Sequence, residues 1–198
     1  MDEISKKFAH NRIKKPLFHY FGSLTPEAIF FFLKQLQYSD ETLAHAMKLR
    51  EQYVQDQLYK NYLKDYHQYD IQFQGEEAEY GDERDYHMFR EDFKPHLEEI
   101  VQNIGTLIYR TRYATIENND TLDWHIDQPQ HDRFIIVLQG EQEFQIKVRK
   151  KIMSQTMKVG DIWFINSSWE HRVINTGEEK RIALLGCFEY NVGNEDNK

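Results

Sequence analysis

A single cysteine, Cys187, excludes an internal disulfide, and the chain contains no Cys-x-x-Cys pair for zinc and no Gly-rich phosphate loop of Walker type. Stability must therefore come from a packed core, and a reducing, cytoplasmic setting is expected. No apolar run approaches the ~20 residues that a bilayer-spanning helix needs. The longest, Ala28 to Leu33, is too short, and the start, MDEISKKF, lacks the apolar stretch of a secretory signal. Positive charge is outweighed: 25 Lys and Arg stand against 33 Asp and Glu, for a net charge of -8. Phosphate recognition needs a concentrated positive surface, so no nucleic-acid partner is expected, and no membrane either. Lys6, Lys7, Arg12, Lys14 and Lys15 form a small basic cluster near the start. Short charge runs of this kind are solvated surface by default.

What remains is an ordinary globular composition, 40% hydrophobic and 29% charged, in a chain of 198 residues. That is one domain, or one domain with a helical extension. The period of the hydrophobic pattern changes near Gly105. Residues 1–105 read as a helical N-terminal region packing on a barrel, residues 106–190 as the barrel itself, and residues 191–198 as a flexible tail. Thr25-Pro26-Glu27 is a helix-start signal, with Thr25 as N-cap and Pro26 at the first helical position, and a helix to about Gln37 follows. Leu43, Met47, Val54, Leu58, Tyr62 and Leu63 recur at helical spacing, predicting a second helix from about Ser39. Glu76 to Arg84 is acidic and aperiodic, which predicts a plain surface loop rather than a lid. A further helix from Phe93 to Asn103 should end at Gly105.

Beyond Leu107 the pattern becomes short strands separated by turn signals. Eight are predicted: Leu107 to Ile116, Leu122 to Ile126, Arg133 to Gln139, Glu143 to Arg149, Ile152 to Val159, Ile162 to Ile165, His171 to Ile174 and Arg181 to Tyr190. Eight is the jelly-roll number, so the expected fold is mainly β with a helical N-terminal part: a cupin-like double-stranded β-helix with helices packed outside. Phe144, Ile146 and Val148 alternate with Gln145, Lys147 and Arg149, the pattern of a sheet with one wet face. Gly140 and Gly160-Asp161 supply turns.

His125-Ile126-Asp127 puts an imidazole and a carboxylate two residues apart at the end of a predicted strand. Strand side chains repeat with period two, so the two groups point the same way and can share a metal ion. A second histidine from a distant strand would complete a two-histidine, one-carboxylate triad with open coordination positions, and His171 is the candidate. A turn around Thr176-Gly177 would pair His171 with Arg181 across a hairpin, side by side on one face. An arginine there suits an anionic ligand, because its planar fork matches a carboxylate. Arg110 and Arg112 share a strand face leading toward the motif, and they and Trp124 are candidate substrate contacts. Cys187, within LLGCF, reads as a core residue. His131 is the one other histidine close to the motif.

With these residues in view, the stretch from about Tyr109 to Leu185 resembles the aspartyl/asparaginyl β-hydroxylase-like branch of the 2-oxoglutarate oxygenases, which includes small bacterial proline hydroxylases. The likeness lies in WHID at Trp124 to Asp127, DRFIIVLQG at Asp132 to Gly140, GDIWFIN at Gly160 to Asn166 and WEHRVINTGEEKRIALL at Trp169 to Leu185. The resemblance implies iron(II) held by His125, Asp127 and His171, with 2-oxoglutarate as co-substrate and O2 as oxidant. It implies a co-substrate contact from Arg181, ten positions after His171, and a contact from Arg133 to a carboxylate of co-substrate or substrate. It further implies hydroxylation of a C–H bond in an amino acid, a peptide or another carboxylate-bearing substrate, with release of succinate and CO2. Ile135 stands where that family frequently places a histidine. Two other readings stay open: a cupin-like metal enzyme that does not use 2-oxoglutarate, and a non-catalytic jelly-roll binding protein. A homodimer is compatible with all of them.

Overall fold

The computed structural model describes residues 14–38, 66–74, 83–127 and 131–190. The order begins with strand β1 (Phe18–Ser23), helix α1 (Pro26–Tyr38), and strands β2 (Tyr66–Asp70), β3 (Phe73–Gln74) and β4 (Tyr86–Met88). Helix α2 (Lys94–Ile104) follows, then β5 (Tyr109–Ile116), β6 (Thr121–His125), β7 (Asp132–Gln139), β8 (Gln142–Val148), β9 (Lys151–Met157), β10 (Asp161–Ile165), β11 (His171–Asn175) and β12 (Arg181–Phe188).

Strands β5 to β12 are the eight that the alternation predicts, and they wind between two antiparallel sheets. One sheet has the order β1-β10-β7-β12-β5-β2, and the other β6-β11-β8-β9. Crossing from sheet to sheet along the chain is jelly-roll winding, so the fold is a double-stranded β-helix. Burial explains the sequence pattern. Strand β8 buries Phe144 and Ile146 and turns Gln145 and Lys147 outward. Strands β5, β7 and β12 are buried almost throughout, because their sheet is covered on both faces. On its outer face Tyr113, Phe134, Ile136, Phe164, Leu184 and Phe188 meet Ala28 and Phe32 of α1 and Leu97 and Ile100 of α2. On its inner face Ile116, Ile135, Val137 and Ala183 meet Phe144, Ile146 and Val173 of the smaller sheet. Each such fully buried side chain stabilises the fold by about 1.5–3 kcal/mol.

The helices begin and end for local reasons. Thr25 caps α1, its Oγ1 accepting the Ala28 N–H at 3.3 Å, and Glu99 of α2 accepts the Thr25 N–H at 2.6 Å, fixing the two helices to each other. Gly105 closes α2 with φ 81, a left-handed conformation that glycine adopts without steric cost. Among the described residues no helix is long and apolar enough to cross a membrane.

The region before residue 105 contributes strands as well as helices. Strand β1 pairs with β10, and β2 with β5, extending the larger sheet at both ends. Each is short and meets a partner far away in sequence, so neither leaves a local periodic signal. The predicted helical stripe from Leu43 to Leu63, most of the Glu76 to Arg84 stretch and the tail 191–198 lie outside the described residues. The end of that acidic stretch is a 3-10 turn, Glu83–Asp85, with Glu83 buried.

Candidate metal centre

His125 ends β6, Asp127 follows it by two residues, and His171 opens β11. The two strands are neighbours, with His171 directly opposite His125 and the ring centroids 4.2 Å apart. One ligand atom from each of His125, Asp127 and His171 lies within 4.8 Å of the others. His125 Nε2 is 3.8 Å from Asp127 Oδ1, and His171 Nε2 is 4.0 Å from Asp127 Oδ2. Two donors about 2.1 Å from a common ion and at right angles stand roughly 3 Å apart, so a small contraction would let all three share one ion.

The backbone sets both rings for ligation. His125 Nδ1 donates to the Asp123 carbonyl at 2.6 Å, and His171 Nδ1 donates to the Trp169 carbonyl at 2.9 Å. A carbonyl oxygen can only accept, so in each neutral ring Nδ1 carries the proton and Nε2 keeps its lone pair. Both lone pairs belong to the nitrogens nearest Asp127. Second partners that fix the tautomer in this way are the usual support of a metal-binding histidine.

Protonation states agree with that use. Burial pushes the His171 imidazole down to about 4, against the attraction of Asp127, so the ring is neutral at physiological pH. Burial works to raise the Asp127 carboxyl, but the neighbouring His171, Arg133, His125 and Arg112 outweigh it and hold the group below the usual carboxylate range. A neutral His171 imidazole and an ionised Asp127 carboxylate are donors ready for a divalent ion. The Phe144 ring stacks on His171 at 5.2 Å and closes the apolar side.

A buried charged cluster adjoins the triad. Arg133 Nε lies 3.5 Å from Asp127 Oδ2, and the same guanidinium grips Glu83 with two bonds, Nη1 to Oε2 at 2.6 Å and Nη2 to Oε1 at 2.9 Å. Arg110 also donates to Glu83, and Arg133 to the Cys187 sulfur. Arg112 Nη1 donates to the Arg110 carbonyl at 3.1 Å. Burial pushes the Cys187 thiol up to about 11, so it stays protonated and donates to Glu83 Oε2. Tyr109 bonds His131 Nδ1 at 2.7 Å, and it pairs in register with Cys187. Arg110 reaches this cluster through a bulge. Arg110 and Thr111 of β5 face the single residue Gly186 of β12, and Arg110 takes φ 52, a strained conformation for a non-glycine residue.

The structure brings His125, Asp127, His171, Arg133, Arg110 and Arg112 together, and gives Arg181 and Trp124 other surroundings than the strand pattern predicts. The hairpin pairing of His171 with Arg181 does not form, because β11 and β12 belong to different sheets. Arg181 instead pairs with Ile116, on the inner face with Ala183, and donates to the Ala114 carbonyl at 3.3 Å. It is fully buried, six residues along β12 from the Cys187 that touches Arg133, or about 20 Å of strand. Asn175 is buried beside it and holds the intervening loop, donating to the Glu117 and Glu179 carbonyls and accepting from the Gly177 N–H. Trp124 faces away: strand alternation puts it on the opposite side from His125, under the Arg172 guanidinium at 4.8 Å and Lys147 at 5.4 Å. Glu83 escaped sequence reasoning entirely, since one acid within an acidic stretch carries no local signal. Only the need of buried arginines for a counter-charge points to it.

Residues 112–186 match the Cupin_2 family, described as Cupin domain. The barrel has the cupin fold. Among solved structures the chain is similar to a variant of Bacillus subtilis oxalate decarboxylase, with 16% identity and a TM-score of 0.36 over 41% of this chain and 22% of that one. It is also similar to the Drosophila melanogaster CENP-C cupin domain, with 14% identity and a TM-score of 0.35 over 38% of this chain and 57% of that one. The chain therefore spans only a part of either protein. No curated protein matches it in sequence. The cupin barrel thus carries, at one end, three side chains that could hold a metal ion.

Proposed function

We propose that this chain is an iron(II)- and 2-oxoglutarate-dependent oxygenase acting on a carboxylate-bearing amino acid, peptide or other small molecule. The observation that carries the reading is the convergence of two Nε2 lone pairs and one carboxylate, with both imidazoles fixed in the ligating tautomer by backbone carbonyls. Two histidines and one carboxylate are the donor set of non-haem iron(II) oxygenases, which leaves positions open for co-substrate and O2. Iron with 2-oxoglutarate would supply the oxidising chemistry, releasing succinate and CO2.

The chain's own residues do the rest. His125, Asp127 and His171 hold the ion, while Phe144 and the inner-face aliphatics keep water from one side. Arg133 and the deeper Arg181 offer guanidinium forks to the free carboxylates of co-substrate and substrate, and Arg112 and Arg110 supplement them. Anaerobic titration with iron(II), with and without 2-oxoglutarate, tests the reading through the visible charge-transfer band that chelation produces. The band is expected with the native chain, and Arg181→Ala should need far more 2-oxoglutarate to develop it; an unaltered titration removes Arg181 from that role.

A second reading is favoured by the Cupin_2 match and by the placement of His171 and Arg181 on different sheets. It is a cupin metal enzyme that does not use 2-oxoglutarate. In that case iron binds but 2-oxoglutarate leaves its spectrum unchanged.

A further inference from the structure

We propose that Glu83 is a built-in occupant of a carboxylate seat beside the metal centre, and that a carboxylate of the incoming ligand displaces it from Arg133 and Arg110. The proposal rests on the reading of the barrel as a site for a carboxylate-bearing ligand. It does not depend on which metal or reaction the site serves.

Arg133 holds Glu83 through two parallel bonds of 2.6 and 2.9 Å, the fork-on-carboxylate geometry by which arginine recognises ligand carboxylates. The same guanidinium reaches Asp127 with its Nε at 3.5 Å, so the seat is one side chain away from the triad. A ligand carboxylate placed there has its remaining atoms within reach of a bound ion.

Arg110 and Arg112 belong to β5 and Arg133 to β7, strands paired on both sides within the larger sheet. Glu83 alone comes from outside the barrel, on the three-residue turn Glu83–Asp85. The arginines are fixed by the scaffold, whereas the carboxylate is the part that can leave. Moving Glu83 out breaks no ladder bond of the eight barrel strands.

Arg133, Arg110 and Arg112 all act on Glu83, Arg133 and Arg112 also act on Asp127, and a divalent ion would add further positive charge. Removing a counter-charge from buried cations is unfavourable, so the seat favours an anion whether it comes from Glu83 or from a ligand. Glu83 supplies it until a ligand does.

The test uses the full, metal-free chain and glutarate, a dicarboxylate without the chelating oxo group. Isothermal titration calorimetry is expected to show glutarate binding about tenfold or more tighter to Glu83→Gln than to the native chain, the factor for a seat otherwise filled by its own occupant nine-tenths of the time. Equal or weaker binding by the variant overturns the proposal and makes Glu83 a purely structural counter-ion. If the variant does not fold, hydrogen exchange on the native chain decides: saturating glutarate should speed exchange at the amides of Glu83 to Asp85, and unchanged or slower exchange overturns the idea. Loss of the 2-oxoglutarate reading is seen separately, as a missing charge-transfer band while tighter glutarate binding persists. A normal band with weaker glutarate binding sinks the seat alone.

Discussion

At the residue scale, the site is decided by where single atoms find partners. Tying His171 Nδ1 to the Trp169 carbonyl commits its Nε2 to ligation. His171→Ala should therefore reduce bound Mn(II) or iron(II), measured by elemental analysis after gel filtration, from one ion per chain to near none while circular dichroism stays that of a β protein. The same logic governs Glu83. Burial raises its carboxyl, and Arg133, Arg110 and Arg112 more than reverse the effect, so its folded pKa lies below the ordinary 4.5. A depressed carboxyl adds stability that is fully present above its unfolded pKa and is lost as the pH falls through the folded one. Urea unfolding from pH 7 down to pH 3 should accordingly show an acid-side loss of stability that starts near 4.5, and Glu83→Gln should flatten that limb.

At the scale of elements, the bulge between β5 and β12 connects packing to chemistry. It aims Arg110 at Glu83, and it requires glycine at position 186, because a Cβ there would overlap the Phe134 ring and lie 3.1 Å from Thr111 Oγ1. Gly186→Ala should cost about 1–3 kcal/mol in chemical denaturation, the range for forcing extra volume into a packed core. A cost below a few tenths of that range would mean that Phe134 swings away freely and that the bulge is soft. The elements also differ in how openly the sequence declares them. Helix α1 is written in Thr25-Pro26, and the end of α2 in Gly105, because caps and breakers act over a few residues. Strand β1 is not, since Phe18 to Ser23 becomes a strand only by pairing with Ile165 to Asp161.

At the scale of the whole molecule, the candidate metal centre joins the smaller sheet to the loop that leaves it. Asp127 lies beyond the end of β6, while His125 and His171 sit on neighbouring strands of one sheet. An ion that binds only the folded arrangement stabilises it by mass action, about 2.7 kcal/mol at one hundred times Kd. Thermal unfolding of the chain should therefore shift upward with added Mn(II), in proportion to the logarithm of its concentration, and return to the starting value with EDTA. A melting temperature indifferent to Mn(II), cobalt(II) and anaerobic iron(II) would count against a metal site at these three residues.

The sequence by itself determined the eight barrel strands and their alternation, and it brought His125 and Asp127 to one side of a strand end, because a period of two and short-range turns are local properties. It also singled out His171 and Arg133. Sheet assignment was decided only by the tertiary structure: a hairpin drawn along the chain pairs His171 with Arg181, whereas jelly-roll winding sends β12 to the opposite sheet and sets His171 against His125. Glu83 likewise had no visible role until the fold gathered three arginines next to the triad, Arg112 and Arg133 of them buried, and set a carboxylate among them. Strand pattern is a matter of neighbours along the chain; which charges meet inside a barrel depends on contacts between segments dozens of residues apart.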